Sequence, residues 1–272
     1  MPDNQEQMKQ RWNPEGSELR RMQLRMLEML KFIDRVCTEN GINYWLDSGT
    51  LLGAARHEGF IPWDDDTDIC MPYEDMLKFK RIMLTQKLSD EFVLQCPETD
   101  PHIYNNWVIL RDLKSEGIHP DRQMHNLYKY KGLNVDIFPV SDRFTGLFHL
   151  VSSAYYKALV KAPLSGRPVW RLLAPLVPIF NGVFTHLLAP TFRGLSRLLP
   201  PKRYYRMVFG CEFTSRRYKE DVWPLTRMKF EDCMLSVPGN TDAYLTRLYG
   251  DWRAIPPEDK IQTHQYTVRF FD

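Results

Sequence analysis

Cysteine is scarce in this chain. The five cysteines among 272 residues (Cys37, Cys70, Cys96, Cys211, Cys233) are odd in number and form no CxxC pair, which excludes a disulfide framework and a zinc knuckle. A charged start leading into an apolar run and a small-residue cleavage site is also missing, so no secretory signal is expected and the thiols suit a reducing cytoplasm. Acidic residues vanish locally: Arg143 to Cys211 spans 69 residues with ten Lys or Arg and no Asp or Glu. Inside it, LLAPLVPIFNGVFTHLLAPTF (172–192) carries no formal charge. Its length suits a membrane span, but Pro175, Pro178 and Pro190, with Asn181, Gly182 and His186, argue against a continuous one. Broken amphipathic helices on an anionic membrane surface are expected instead. The plainer alternative is an internal helical insertion whose apolar residues are core.

The rest has an ordinary globular composition, 43% hydrophobic and 26% charged, with a net charge of +2 and no nucleic-acid partner indicated. Residues 1–16 are polar and aperiodic and read as a flexible N-terminus. Glu18 to Glu39 has apolar residues at helical spacing and Gly41 as a stop. NYWLD (43–47) reads as a strand, Thr50 to His57 as a helix opening at Gly49, and TDICMP (67–72) as a strand. Tyr73 to Lys87 reads as a helix, and FVLQC (92–96), WVILRDL (107–113) and LNVDIFPV (133–140) as strands. KFEDCMLSVPG (229–239) suggests a strand pair or a strand and turn, and TDAYLTRLYG (241–250) a helix closed by Gly250. This is an α+β chain with a catalytic core over 17–142, a basic, acid-free helical insertion over 143–211, and 212–272 completing the catalytic domain.

Asp64, Asp65, Asp66 and Asp68 crowd five positions. Like charges this close resist burial unless solvated or neutralised by a cation. On an extended backbone Asp64, Asp66 and Asp68 share one face and Asp65 takes the other. Three oxygen donors at that spacing suit a hard dication such as Mg²⁺. A calcium loop of the EF-hand type fails, because its sixth and twelfth positions would be Ile69 and Asp75. A solvated acidic turn is the competing reading, but the cluster runs straight into an apolar strand. Ser48, Gly49 and Thr50 lie one helix upstream at a strand-to-helix turn, where backbone N–H groups and a hydroxyl grip phosphate. Asp136 is a lone carboxylate in the apolar VDIFP strand.

A strand, a Gly-Ser or Gly-Thr turn and an Asp-x-Asp pair on the next strand is the nucleotidyltransferase signature, and LDSGTLLGAARHEGFIPWDDDTDICM closely resembles the LicD family. LRMLEMLKFIDRVC, VILRDL, VDIFPV and YLTRLYGDWRAIPPEDK with His264 also look like its landmarks; only about 143–200 is idiosyncratic. That family includes bacterial phosphocholine transferases and is related to fukutin and fukutin-related protein, which transfer ribitol phosphate. The resemblance implies a nucleotidyltransferase-like mixed sheet flanked by helices. It implies Asp66, Asp68 and Asp136 as the catalytic carboxylates, holding Mg²⁺ (or Mn²⁺) with Asp64 as an outer or second-metal ligand. Ser48, Gly49, Thr50, Arg56, Arg111 and His264 would contact substrate, Arg111 having Asp112 as an alternative salt-bridge partner. Trp63 and Trp107 are expected in the core. The implied reaction moves a phospho-alcohol, phosphocholine-like or a polyol phosphate, from a CDP-linked donor to a glycan or lipid-linked glycan at the cytoplasmic membrane face, releasing CMP. The alternatives are a metal-dependent glycosyltransferase, a nucleotidyltransferase acting on a small molecule, and a noncatalytic membrane adaptor.

Overall fold

A computed structural model describes residues 2–118, 127–165, 167–210, 215–257, 261 and 267–271. Helix α1 (Pro2–Trp12) is followed by α2 (Glu18–Asn40), β1 (Trp45–Leu46), α3 (Ser48–His57), β2 (Asp68–Pro72) and α4 (Tyr73–Thr85). Strands β3 (Phe92–Gln95), β4 (Val108–Asp112), β5 (Ser115–Ile118) and β6 (Asn134–Ser141) come next. After a helical segment opened by α5 (Gly146–Tyr155) come β7 (Tyr204–Met207), β8 (Arg217–Tyr218), β9 (Thr226–Phe230), β10 (Cys233–Val237), a helix Thr241–Tyr249 and β11 (Thr267–Phe270). The order β1-β2-β6-β4-β3, with β7 on β6 and β8 on β7, makes a mixed seven-stranded sheet. Strands β2 and β6 run parallel; β1, β3, β4 and β7 pair antiparallel. The fold is α+β and nucleotidyltransferase-like.

The sequence periodicities have direct physical outcomes. Ser17 caps α2 by accepting from the Arg20 N–H at 3.2 Å, and Gly41 ends it at a left-handed φ of 58°. The face bearing Met22, Met26, Leu30, Ile33 and Cys37 is buried against the sheet. The 229–239 stretch is a hairpin of β9 and β10. Residues expected to be flexible instead form α1, because Trp12 packs edge-on against Trp63 at 6.0 Å and buried Asn13 donates to Gln23 at 2.6 Å.

The segment after β6 is helical. Its continuous run comprises Val177–Val183, Phe184–Leu188 and Ala189–Ser196, with helical backbone at both junctions and a π turn in the middle. Asn181 is drawn inward, donating to the carbonyls of Pro101 and Ile103 at 2.8 and 2.9 Å. Val177 and Phe184 are core, yet Ile179, Val183 and Leu187 are exposed, so the run is not simply interior. Among the described residues no helix is long and apolar enough to cross a membrane.

The two ends of the core are joined by one buried ion pair. Asp47, fully buried between β1 and α3, pairs with Arg217 of β8, which is 3% exposed. Its other oxygen accepts from Tyr244 Oη at 2.5 Å, and Tyr244 in turn accepts from Trp45 Nε1 at 3.1 Å. Burial alone would raise the Asp47 carboxyl; Arg217 and Tyr244 hold it below its ordinary value. Replacing Arg217 by Met strands a buried carboxylate, and we predict a loss of about 3–5 kcal/mol in urea unfolding. A loss below about 1 kcal/mol would show that the pair does not hold the core together.

Candidate functional site: a carboxylate cluster beside a Ser-Gly-Thr turn

Parallel register brings the first two carboxylates together. Asp68 opens β2, Asp136 lies in β6, and they are direct partners across the ladder, so their side chains leave the same face. The preceding 64–67 stretch is irregular rather than strand, yet it keeps the alternation: Asp64, Asp66 and Asp68 are half-buried, while Asp65 and Thr67 are buried. Its course is fixed from both sides. Gln23 of α2 donates to the Asp64 carbonyl at 2.9 Å, the Asp136 N–H donates to the Thr67 carbonyl at 2.9 Å, and Thr67 Oγ1 donates to the Asn134 carbonyl at 3.0 Å.

The Ser-Gly-Thr turn meets this segment directly. Ser48 adopts a left-handed φ of 48°, an uncommon state for a residue with a Cβ, as β1 turns sharply into α3. Gly49 lies against the cluster: a Cβ there would be 2.9 Å from Asp64 Oδ2. Thr50 is buried, and its Oγ1 accepts from the Asp68 N–H at 2.8 Å. The hydroxyl expected to hold phosphate thus also ties the turn to the Asp-x-Asp strand.

Charge within the cluster is uncompensated by nearby cations of its own strand. Burial first, then Asp66 and its neighbours, push the Asp64 and Asp68 carboxyls well above their ordinary range. Burial raises Asp136 to about 6, Arg111 drawing it down and Asp66 pushing it up. Among the described residues, no three or more His, Cys, Asp or Glu side chains already converge as a metal cage.

The flanking basic residues are arranged differently from the sequence expectation. Arg111 does not pair with Asp112, because adjacent strand residues point to opposite faces. Its guanidinium is buried and donates to Gln95 Oε1 at 2.7 Å, the Gly132 carbonyl at 2.9 Å and Asn134 Oδ1 at 3.1 Å. Asn134 passes the contact on by donating to Asp136 at 3.1 Å, so Arg111 braces Asp136. Asp112 instead accepts from Arg25 of α2 at 2.6 Å. Arg56 feels the charge of Asp64, while its Nη1 donates to the Trp252 and Ala254 carbonyls at 3.2 and 3.1 Å. His264 lies outside the described residues.

Sequence reasoning passed over three members. Asp47 and Arg217 underpin the turn, and the signal was a charged residue inside the apolar YWLD strand. Burial and then the charges of Asp47, Asp68 and Asp64 raise the phenol of Tyr249, the last residue of helix Thr241–Tyr249. Trp63 is core as expected. Trp107 packs on Phe138 at 5.1 Å and also walls a cavity of about 390 Å³ with Tyr73, Met76 and Phe184.

A carboxyl raised on folding destabilises the native state once the pH exceeds its unfolded value of about 4, and that cost is complete above its folded value. For Asp136 the window is about pH 4 to 6. In the presence of EDTA at pH 7.5, Asp136→Asn is therefore predicted to raise stability by on the order of 1–3 kcal/mol in thermal or urea unfolding. The gain should vanish at pH 4; a loss at pH 7.5 would contradict the repulsive cluster.

Comparison with known proteins agrees with this geometry. Residues 41–163 match the LicD/FKTN/FKRP nucleotidyltransferase domain, a stretch containing the turn, the cluster and Asp136. An uncharacterized protein of Rickettsia prowazekii is 32% identical over 136 residues, 44% of this chain and 51% of that protein. The lipopolysaccharide cholinephosphotransferase LicD of Haemophilus influenzae is 23% identical over 272 residues, 90% of this chain and 95% of that enzyme. Human ribitol 5-phosphate transferase FKRP is 45% identical over 49 residues, 18% of this chain and 10% of that protein. The chain spans about half the length of the rickettsial relatives it matches. The matched stretch, residues 41–163, is thus similar to the LicD/FKTN/FKRP nucleotidyltransferase domain over the turn, the Asp-x-Asp segment and Asp136.

Proposed function

We propose that this protein is a phosphotransferase that moves a phospho-alcohol from a CDP-linked donor to a hydroxyl of a glycan or lipid-linked glycan, releasing CMP. The observation that carries the reading is the register of Asp68 with Asp136, closed on one side by Gly49 against Asp64. The similarity to a cholinephosphotransferase and a ribitol 5-phosphate transferase supports the class of group transferred. The transferred alcohol in this reading is phosphocholine-like or a polyol phosphate.

The residues fit a hard dication in chemistry. Asp64, Asp66, Asp68 and Asp136 are half-buried and offer only oxygen donors, and burial and then neighbouring acids raise the carboxyls of Asp64, Asp68 and Asp136. A ready-made cage is not required, because Mg²⁺ keeps several waters and takes one or two carboxylates plus substrate phosphates. Asp66, Asp68 and Asp136 would hold the ion, with Asp64 in an outer or second position and Mn²⁺ as a substitute. Bound there, it would neutralise charge on the diphosphate as the leaving group departs.

The chain's own groups carry the remaining work in this reading. Backbone N–H groups of Ser48, Gly49 and Thr50 hold a phosphate at the start of α3. Arg56 adds a guanidinium beside Asp64. The acceptor oxygen attacks the phosphorus next to the alcohol, the bond from that phosphorus to the bridging oxygen breaks, and CMP leaves with that oxygen. Asp136, braced through Asn134 by Arg111, receives the acceptor's proton. The acceptor meets the enzyme at the cytoplasmic membrane face.

Incubation with Mg²⁺, a panel of CDP-alcohols and simple sugar acceptors should release CMP with one alcohol preferred. UDP or GDP release from a sugar nucleotide would identify a glycosyltransferase instead. Asp66→Ala is expected to lower turnover at least ~10³-fold and to abolish Mn²⁺ binding in calorimetry. Turnover and Mn²⁺ affinity unchanged in that variant would remove the metal site.

A further inference from the structure

The helical segment after β6 carries two apolar stripes where a soluble helix needs one. Val177, Phe184 and Ala189 face inward and are buried. Within the continuous run Ile179, Val183 and Leu187 recur at a spacing of four and are exposed, and Leu172 and Leu176, in the turn and 3₁₀ segment just before it, are exposed as well. Leu172 is 85% exposed, Ile179 59% and Leu187 61%. A spacing of four keeps Ile179, Val183 and Leu187 on one face of the run, so these three form a row rather than scattered exceptions. Leu147, Leu150 and Val151 of α5 are likewise exposed at positions one, four and five of a turn pattern. Exposed apolar side chains grouped on a helix face in this way mark an interaction site.

Charge selects the occupant. No acid lies between Arg143 and Cys211, and Lys157 and Arg167 are exposed there. Arg193 and Arg197 meet Glu74, which comes from α4 rather than from this segment. A twofold contact with a second copy would lay the same acid-free basic surface on itself, and like charges would oppose it. An anionic bilayer supplies both missing partners, acyl chains for the row and phosphates for the cations, while Lys and Arg stems reach outward to the headgroups. The inward clamp of Asn181 and the buried Val177 and Phe184 tie the run to the core, so it lies on the surface without crossing.

We infer that the outward face of 172–187, with the exposed leucines of α5, seats the protein on an anionic lipid surface, the apolar row entering the headgroup boundary. The inference deepens the membrane placement in the proposed function and takes its biological meaning from that reading, although the binding itself needs no turnover.

Sedimentation with vesicles of phosphatidylglycerol and phosphatidylcholine, and with phosphatidylcholine alone, tests it. The wild-type chain should partition at least ~10-fold more strongly onto the anionic vesicles, less so at high salt. The triple variant Ile179→Gln, Val183→Gln, Leu187→Gln should lose ~10-fold or more of that binding. Lys157→Glu with Arg167→Glu should lose a similar factor. All three substituted apolar positions are exposed, and circular dichroism with CMP release on a soluble acceptor checks that the fold is kept. Wild-type binding by the triple variant, or no preference for anionic vesicles, overturns the inference. So does a solution dimer that the triple variant dissociates, which would assign the row to a second copy. Vesicle binding without CMP release on any acceptor would instead sink the transferase reading and leave the surface standing.

Discussion

A single buried carboxylate organises this molecule. Asp47 has no access to water, and a charge in that position persists only if the protein supplies the solvation that water would have given. It receives a guanidinium from β8, a phenol from helix Thr241–Tyr249, and weaker contacts from Ser48 and Cys70. Those donors come from sequence positions 48 to 244, so satisfying one charge pulls the C-terminal part onto the N-terminal part. The same residue precedes the left-handed turn at Ser48, and its N–H donates to the Asp68 carbonyl at 3.0 Å. The Ser-Gly-Thr turn and the carboxylate strand are therefore positioned by the satisfaction of one ion.

The cluster from Asp64 to Asp68 obeys the opposite rule. Asp47 is neutralised inside the protein, whereas Asp64 and Asp68 are raised by burial and by one another. Local stability is given up there, and the surrounding bonds keep the acids from splaying. Gln23, Thr50, Thr67 and Asn134 are neutral, so they fix geometry without cancelling the field. Arg111 draws the Asp136 carboxyl down by its charge and also braces it through Asn134.

Much of this was legible in the sequence because local rules decided it. Helix α2 announced itself through period and caps, and β2 and β6 through short apolar runs. The parity of the aspartates survived even though 64–67 is not a strand, because an extended backbone alternates its side chains with or without a ladder. Other features depended on long-range contacts that no local pattern encodes. The α1 helix forms where a polar composition suggested none, since Trp12 finds Trp63 and Asn13 finds Gln23 across intervening chain. Arg111 and Asp112 were read as neighbours when strand geometry separates them and α2 supplies Arg25. Arg217 had no local mark at all; only Asp47, a charge in an apolar strand, hinted that a partner was required.

The way the helical segment is attached has its own consequence. It leaves the sheet after Ser141 and returns at Tyr204, and its two ends are stitched together by β7 on β6, with Val140 opposite Met207 and Ser141 opposite Arg206. Its points of departure and return are thus adjacent, and the entropy of closing a loop rises only slowly with its length. Closing the segment on the far end of β6, the strand that sets Asp136 against Asp68, lets its core side chains Val177 and Phe184 be ordered without any strand of the segment entering the ladder between β2 and β6.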